Sequence, residues 1–172
     1  TRVVLLEFPN EAEAYLASCR QEGRDSATEH IISLTPKLHV WLARQGVGFS
    51  NSLPYFKSES HDRALQKSHQ LLQWLETRVD LKDSLGISKA YSNALQWYSR
   101  FFLHHMLWLC EILAEAQLQH PGITLVAPVI QPRGSGSPFA QDHERYLGPL
   151  AQAHCLSHSL PFEAITISRK SI

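Results

Sequence analysis

The stretch HIISLTPKLHVWLARQGVGF, residues 30–49, constrains the fold more than any other. HIISL is a short apolar run with β-branched residues, Thr35 suits a helix N-cap, Pro36 suits the first helical position, and Gly46 suits the left-handed stop after KLHVWLARQ. VGF at 47–49 then reads as a second short strand. Two strands joined by one helix make a crossover unit, which places the strands parallel and the helix on one sheet face.

The same grammar repeats on both sides. VVLLEF at 3–8 reads as a strand stopped by Pro9-Asn10, and EAEAYLASCRQEG reads as a helix that ends at Gly23. Residues 50–60 form a polar loop. From His61 to about Lys82, Leu65, Leu72, Leu75 and Val79 keep a helical stripe. A second helix, from Ser88 to about Gln119, carries Tyr91, Leu95, Phe102, Leu109, Ile112 and Ala116 on one side and Trp97, Phe101 and Trp108 on another. Gly122 ends this helical pair, and ITLVAPV returns to strand. A helical pattern from about Phe139 to Ser159 is interrupted at Gly148-Pro149, where proline forces a kink or a restart, and FEAITIS at 162–168 is the last strand. These elements predict one α/β domain over residues 1–172, a Rossmann-like three-layer sandwich. Its mostly parallel sheet has about five strands, with the long helical pair inserted after the third.

Charge and cysteine usage narrow the function classes. Sixteen Lys and Arg balance sixteen Asp and Glu for a net charge of zero, so no positive field favours nucleic acid or anionic lipid. The cysteines, Cys19, Cys110 and Cys155, are three in number and lack any CxxC spacing, which reads as reduced thiols in a cytoplasmic protein, with Cys110 in the core. TRVVLLEF leaves no room for a signal peptide, and FFLHHMLWLCEIL at 101–113 is too short to span a bilayer. The single methionine, Met106, is internal, which suggests a piece of a longer polypeptide.

In an open parallel sheet, ligands sit beyond the carboxyl ends of the strands. Those ends here are Pro9-Asn10, Thr35-Pro36, Asn51, the 130–138 loop and Arg169-Lys170. In the loop, Arg133, Gly134, Ser135, Gly136 and Ser137 offer the backbone N–H groups, hydroxyls and guanidinium that an anion needs. The spacing completes neither GxGxxG nor GK[ST], so a plain connector is the competing reading. His104 and His105 are adjacent in an apolar helix, where a neutral imidazole can act as a general base; positions one apart lie about 100° apart, so the two face different surroundings. His104 is the catalytic candidate. His154 and His158 have the i, i+4 spacing of a shared metal, but His143, eleven positions earlier, is about 16 Å away along a helix and cannot join them. The chain has no GxSxG elbow and no assignable carboxylate pair, and Glu111 and Glu115 read as the wet side of a helix. No metal or cofactor is called for.

On VVLLEF, HIISLTPKLHVWLARQGVGF and GITLVAPVIQPRG, the layout resembles the N-terminal Rossmann-like domain of GT-B-type glycosyltransferases of bacterial surface-carbohydrate synthesis. The resemblance implies the acceptor-side half of an enzyme that moves a sugar from a nucleotide-sugar donor to a glycan acceptor, inactive in isolation and completed by a C-terminal domain. It places Asn10, Thr35 and the Arg133–Ser137 loop at the cleft. A noncatalytic interaction module is the alternative, in which the helical pair docks a partner or a second copy through Trp74, Trp97 and Trp108.

Overall fold

The computed structural model describes residues 1–77, 89–130 and 146–167. Five strands, β1 (Arg2–Leu6), β2 (His30–Ser33), β3 (Ser50–Asn51), β4 (Thr124–Ile130) and β5 (Phe162–Ile167), form one sheet in the order β3-β2-β1-β4-β5. Every neighbouring pair is parallel. Helices α1 (Pro9–Glu22), α2 (Pro36–Arg44), α3 (Ser58–Thr77), α4 (Lys89–Gln119) and α5 (Leu147–His158) alternate with the strands, giving the expected Rossmann-like α/β sandwich with a helical pair after β3.

The strands are apolar runs because both faces of the sheet are covered. Val4, Leu6, Ile31 and Val126 point to one side, where they meet Ala12, Tyr15 and Cys19 of α1 and Leu38 and Leu42 of α2. Val3, Leu5, Ile32, Leu125 and Ala127 point to the other, against Leu109, Ile112, Leu113 and Ala116 of α4 and Leu147, Ala151 and Cys155 of α5. Adjacent residues of one strand therefore feed two cores.

The crossover unit forms as its residues dictate. Thr35 Oγ1 accepts from the Leu38 N–H at 3.4 Å, Pro36 opens α2, and Gly46 takes φ 69° after the helix. The third strand lies slightly later than VGF. The ladder pairs Ile32 with Ser50 and Ser33 with Asn51, while Val47 and Phe49 pack against the α1–α2 core. Asn51 Oδ1 then accepts from the Leu53 N–H at 3.0 Å, a local turn that ends the strand after two residues.

In the helical pair, three expectations change. The buried stripe of α3 is Ser60, Ala64, Ser68 and Leu72, whereas Leu65 is exposed. Small residues let α3 lie close along α4. On α4, Leu109, Ile112 and Ala116 are buried as expected, but Phe102 is exposed. A 31-residue helix spans about 46 Å, roughly twice the length of the longest strand, so its early turns run past the sheet. Glu111 is buried rather than wet, because α3 covers it: Arg63 donates to it at 2.6 Å and Lys67 Nζ lies 3.3 Å away. Glu115 is half-buried and takes Lys57 Nζ at 2.6 Å. The side chains of Leu75, Tyr91 and Leu95, and all of Val79, lie outside the described residues.

Gly148 and Pro149 occupy the first turn of α5, so within the described residues they start a helix and do not kink one. A Cβ at Gly148 would stand 2.1 Å from the Pro128 carbonyl oxygen, so only glycine lets α5 approach β4 this closely. Cys19 and Cys155 are buried and Cys110 is half-buried; all three are free thiols. No helix among the described residues is long and apolar enough to cross a membrane.

Candidate functional site

The strand order reverses beside β1: the chain leaves β1 for β2 on one side, and β4 later pairs on the other. The carboxyl end of β1 is therefore the topological switch point, where open α/β sheets keep their ligands. Glu7 follows β1 at this point. Its backbone carbonyl accepts the Thr35 hydroxyl, which ties the end of β1 to the N-cap of α2.

Glu11, in the first turn of α1, turns its carboxylate back onto the strand end. Its Oε2 accepts the Glu7 N–H at 2.7 Å and the Phe8 N–H at 3.0 Å. Glu11 is buried, so a side chain of the protein itself holds an anionic oxygen on the N–H groups of the β1–α1 turn. In a dinucleotide-binding fold this turn is where glycines admit a pyrophosphate. Here the position is filled from within. Glu7 and Glu11 also correct the expectation of no assignable carboxylate pair, since one turn gathers both.

The Glu7 carboxylate faces α4. His105 Nε2 lies 3.2 Å from Glu7 Oε1, with Glu7 only 2% exposed and His105 40% exposed. The imidazole is thus the solvent-facing member of a carboxylate–histidine pair. In the tautomer that carries its proton on Nε2, the ring has its lone pair on Nδ1. Trp108, one turn on, stacks against the ring at a centroid distance of 5.5 Å and an interplanar angle of 27°, limiting its tilt. Beside the pair, Glu7 Oε2 and the Ser33 hydroxyl are buried with no hydrogen-bond partner among the described residues. The carbonyl of Ser33 is taken by His39 Nε2 at 3.0 Å.

His104 faces elsewhere. Its ring meets His61 of α3 edge-on at 5.6 Å, and burial, followed by the charges of His61 and His105, lowers its pKa below the ordinary imidazole value. The adjacent histidines do face different surroundings, and the one that reaches a carboxylate is His105, not the singled-out His104.

Asn10 is exposed in the first turn of α1 at the same sheet end, and Thr35 is a cap whose hydroxyl is already engaged by backbone. Arg133, Gly134, Ser135, Gly136, Ser137, His143, Arg169 and Lys170 lie outside the described residues. His154 and His158 stack at 4.2 Å as their spacing allows, but His154 Nε2 is bonded to Gln117 at 2.8 Å and His158 Nδ1 to the His154 carbonyl at 2.9 Å. Among the described residues no three His, Cys, Asp or Glu side chains converge as a metal site.

No family model, curated protein or solved structure matches this chain. The site's chemistry therefore rests on its own residues. Glu7 gives little signal of its own because it sits inside the apolar run VVLLEF, between Leu6 and Phe8. A charged residue directly after a doubly buried strand, followed four positions later by a second glutamate in a helix's first turn, was the available signal.

Proposed function

We propose that the chain is the acceptor-binding half of a sugar transferase, with His105 as the general base and Glu7 as its orienting carboxylate. The observation that carries this reading is the Glu7–His105 contact of 3.2 Å at the switch point. His105 Nδ1 takes the proton of an acceptor hydroxyl as that oxygen attacks the anomeric carbon of the donor. The bond from sugar to diphosphate breaks, and the leaving group departs with the electron pair. Glu7 stabilises the imidazolium that forms.

Two further features support an acceptor role. Glu11 fills the anion position of the β1–α1 turn, so a nucleotide diphosphate is better held by another part of the enzyme. The buried carboxylate of Glu7 beside His105 favours a neutral hydroxyl over a phosphate. A C-terminal domain supplying the nucleotide-sugar site, and a cytoplasmic location, belong to the same proposal. In the intact natural polypeptide, His105→Asn should slow transfer from a nucleotide sugar to a simple glycoside by about 10²–10⁴-fold. Unchanged transfer, or no consumption of any nucleotide sugar, would overturn the assignment.

A second reading is favoured by one observation: Phe101 of α4 is 60% exposed, and Leu71 of α3 is exposed too. This suits a helical pair that docks a partner. Trp108 is not its anchor, being half-buried against the core; the side chains of Trp74 and Trp97 lie outside the described residues. Phe101→Ser would leave glycoside binding intact and abolish association if this second reading held.

A further inference from the structure

At the opposite end of the sheet, three side chains distant in sequence converge on one point. His30 opens β2, Tyr55 closes the 3₁₀ turn Leu53–Tyr55, and His120 follows the last turn of α4. Tyr55 Oη lies 2.5 Å from His30 Nε2 and 3.3 Å from His120 Nε2, and the two imidazole centroids are 4.6 Å apart. Tyr55 is 3% exposed, whereas both histidines are half-buried and reachable from solvent.

We propose that His30, Tyr55 and His120 form a binding site for a divalent transition-metal ion of the zinc type, held by two imidazole nitrogens and the phenolate oxygen. Ligands about 2.0–2.1 Å from a tetrahedral ion stand about 3.4 Å apart. The Tyr55–His120 pair already has that separation, at 3.3 Å. The His30–Tyr55 pair, now hydrogen-bonded at 2.5 Å, has to open by roughly 0.9 Å to reach it. The ligand types suit the ion, since neutral imidazole is a preferred donor for zinc and its neighbours. Burial, with the adjacent His120, holds His30 toward the neutral form that ligates. The opposing cost is the phenol, which burial makes harder to ionise. Ion binding therefore releases the Tyr55 proton to solvent, and affinity rises with pH.

The stacked pair His154–His158 is the rival position, although Gln117 occupies His154 Nε2. Zinc added alone to the protein, followed by calorimetry and ultraviolet difference absorption, separates the two. The expected result is one ion per chain with a tyrosinate difference signal. His30→Gln and His120→Gln should each weaken binding by about tenfold or more, and His158→Gln should leave it unchanged. Tyr55→Phe should remove the difference signal and weaken binding, which keeps the test valid if a histidine variant folds poorly. Absence of saturable binding, binding without the tyrosinate signal, or binding that survives in His30→Gln and His120→Gln and is lost in His158→Gln would overturn the site.

Discussion

The buried carboxylate of Glu7 and the solvent-facing ring of His105 meet at 3.2 Å, although 98 positions separate them in the chain. The contact joins the end of the first strand to the helix packed across the sheet. Glu7→Gln keeps the volume and removes the charge. Transfer should fall by about 10²–10⁴-fold, with acceptor affinity little changed, because the amide no longer supports the imidazolium. The split between turnover and affinity is read from steady-state kinetics of the intact polypeptide; equal loss in both would mean that Glu7 only holds the fold.

Stability should fall as pH drops below about 6.5. His30, His104 and His154 all have folded pKa values depressed below 6.5, burial being the first cause in each. The unfolded chain therefore takes up protons before the folded one does, and stability rises with pH through this window and levels off above it. Glu29 and Glu22 are depressed below 4.5, so their contribution is lost only in stronger acid. Urea midpoints at pH 7.5 and 5.5 check the sign, and His30→Gln should flatten the difference.

Gly148→Ala should be severe for so small a change. The added carbon would meet the Pro128 carbonyl oxygen at 2.1 Å and Val129 Cγ2 at 3.2 Å, and the nearer contact is backbone, not the end of a flexible side chain. Displacing α5 costs about 1–3 kcal/mol or more, read as a lowered melting temperature. A melting temperature within a degree of the parent would show that α5 sits farther from β4.

Thr35→Ala removes one hydroxyl from two jobs, the cap on Leu38 and the bond to the Glu7 carbonyl. The expected loss is about 1–2 kcal/mol, or roughly 2–8 °C in melting temperature. Thr35→Ser should recover most of it. If alanine and serine behave alike, the hydroxyl is not what joins β1 to α2.

Much of the fold was legible because it is written in short-range chemistry: Thr35-Pro36, Gly23 and Gly46 mark helix ends wherever they occur. The apolar runs named four of the strands, and only the two-residue β3 slipped, because Asn51 ends it with its own side chain. The site was much less legible. The pairing of Glu7 with His105 depends on α4 crossing the sheet at one height, and the burial of Glu111 depends on where α3 lies; neither is encoded in local spacing. Choosing between His104 and His105 needed the helix rotation, which an apolar stretch on nearly all sides does not reveal.

The most direct test of the account is a titration of the His105 ring resonances with a neutral glycoside and, separately, with a nucleoside diphosphate. Saturable shifts are expected with the glycoside, weakened or lost in Glu7→Gln, and none with the diphosphate. A ring that answers only to the diphosphate, or to neither, would contradict it.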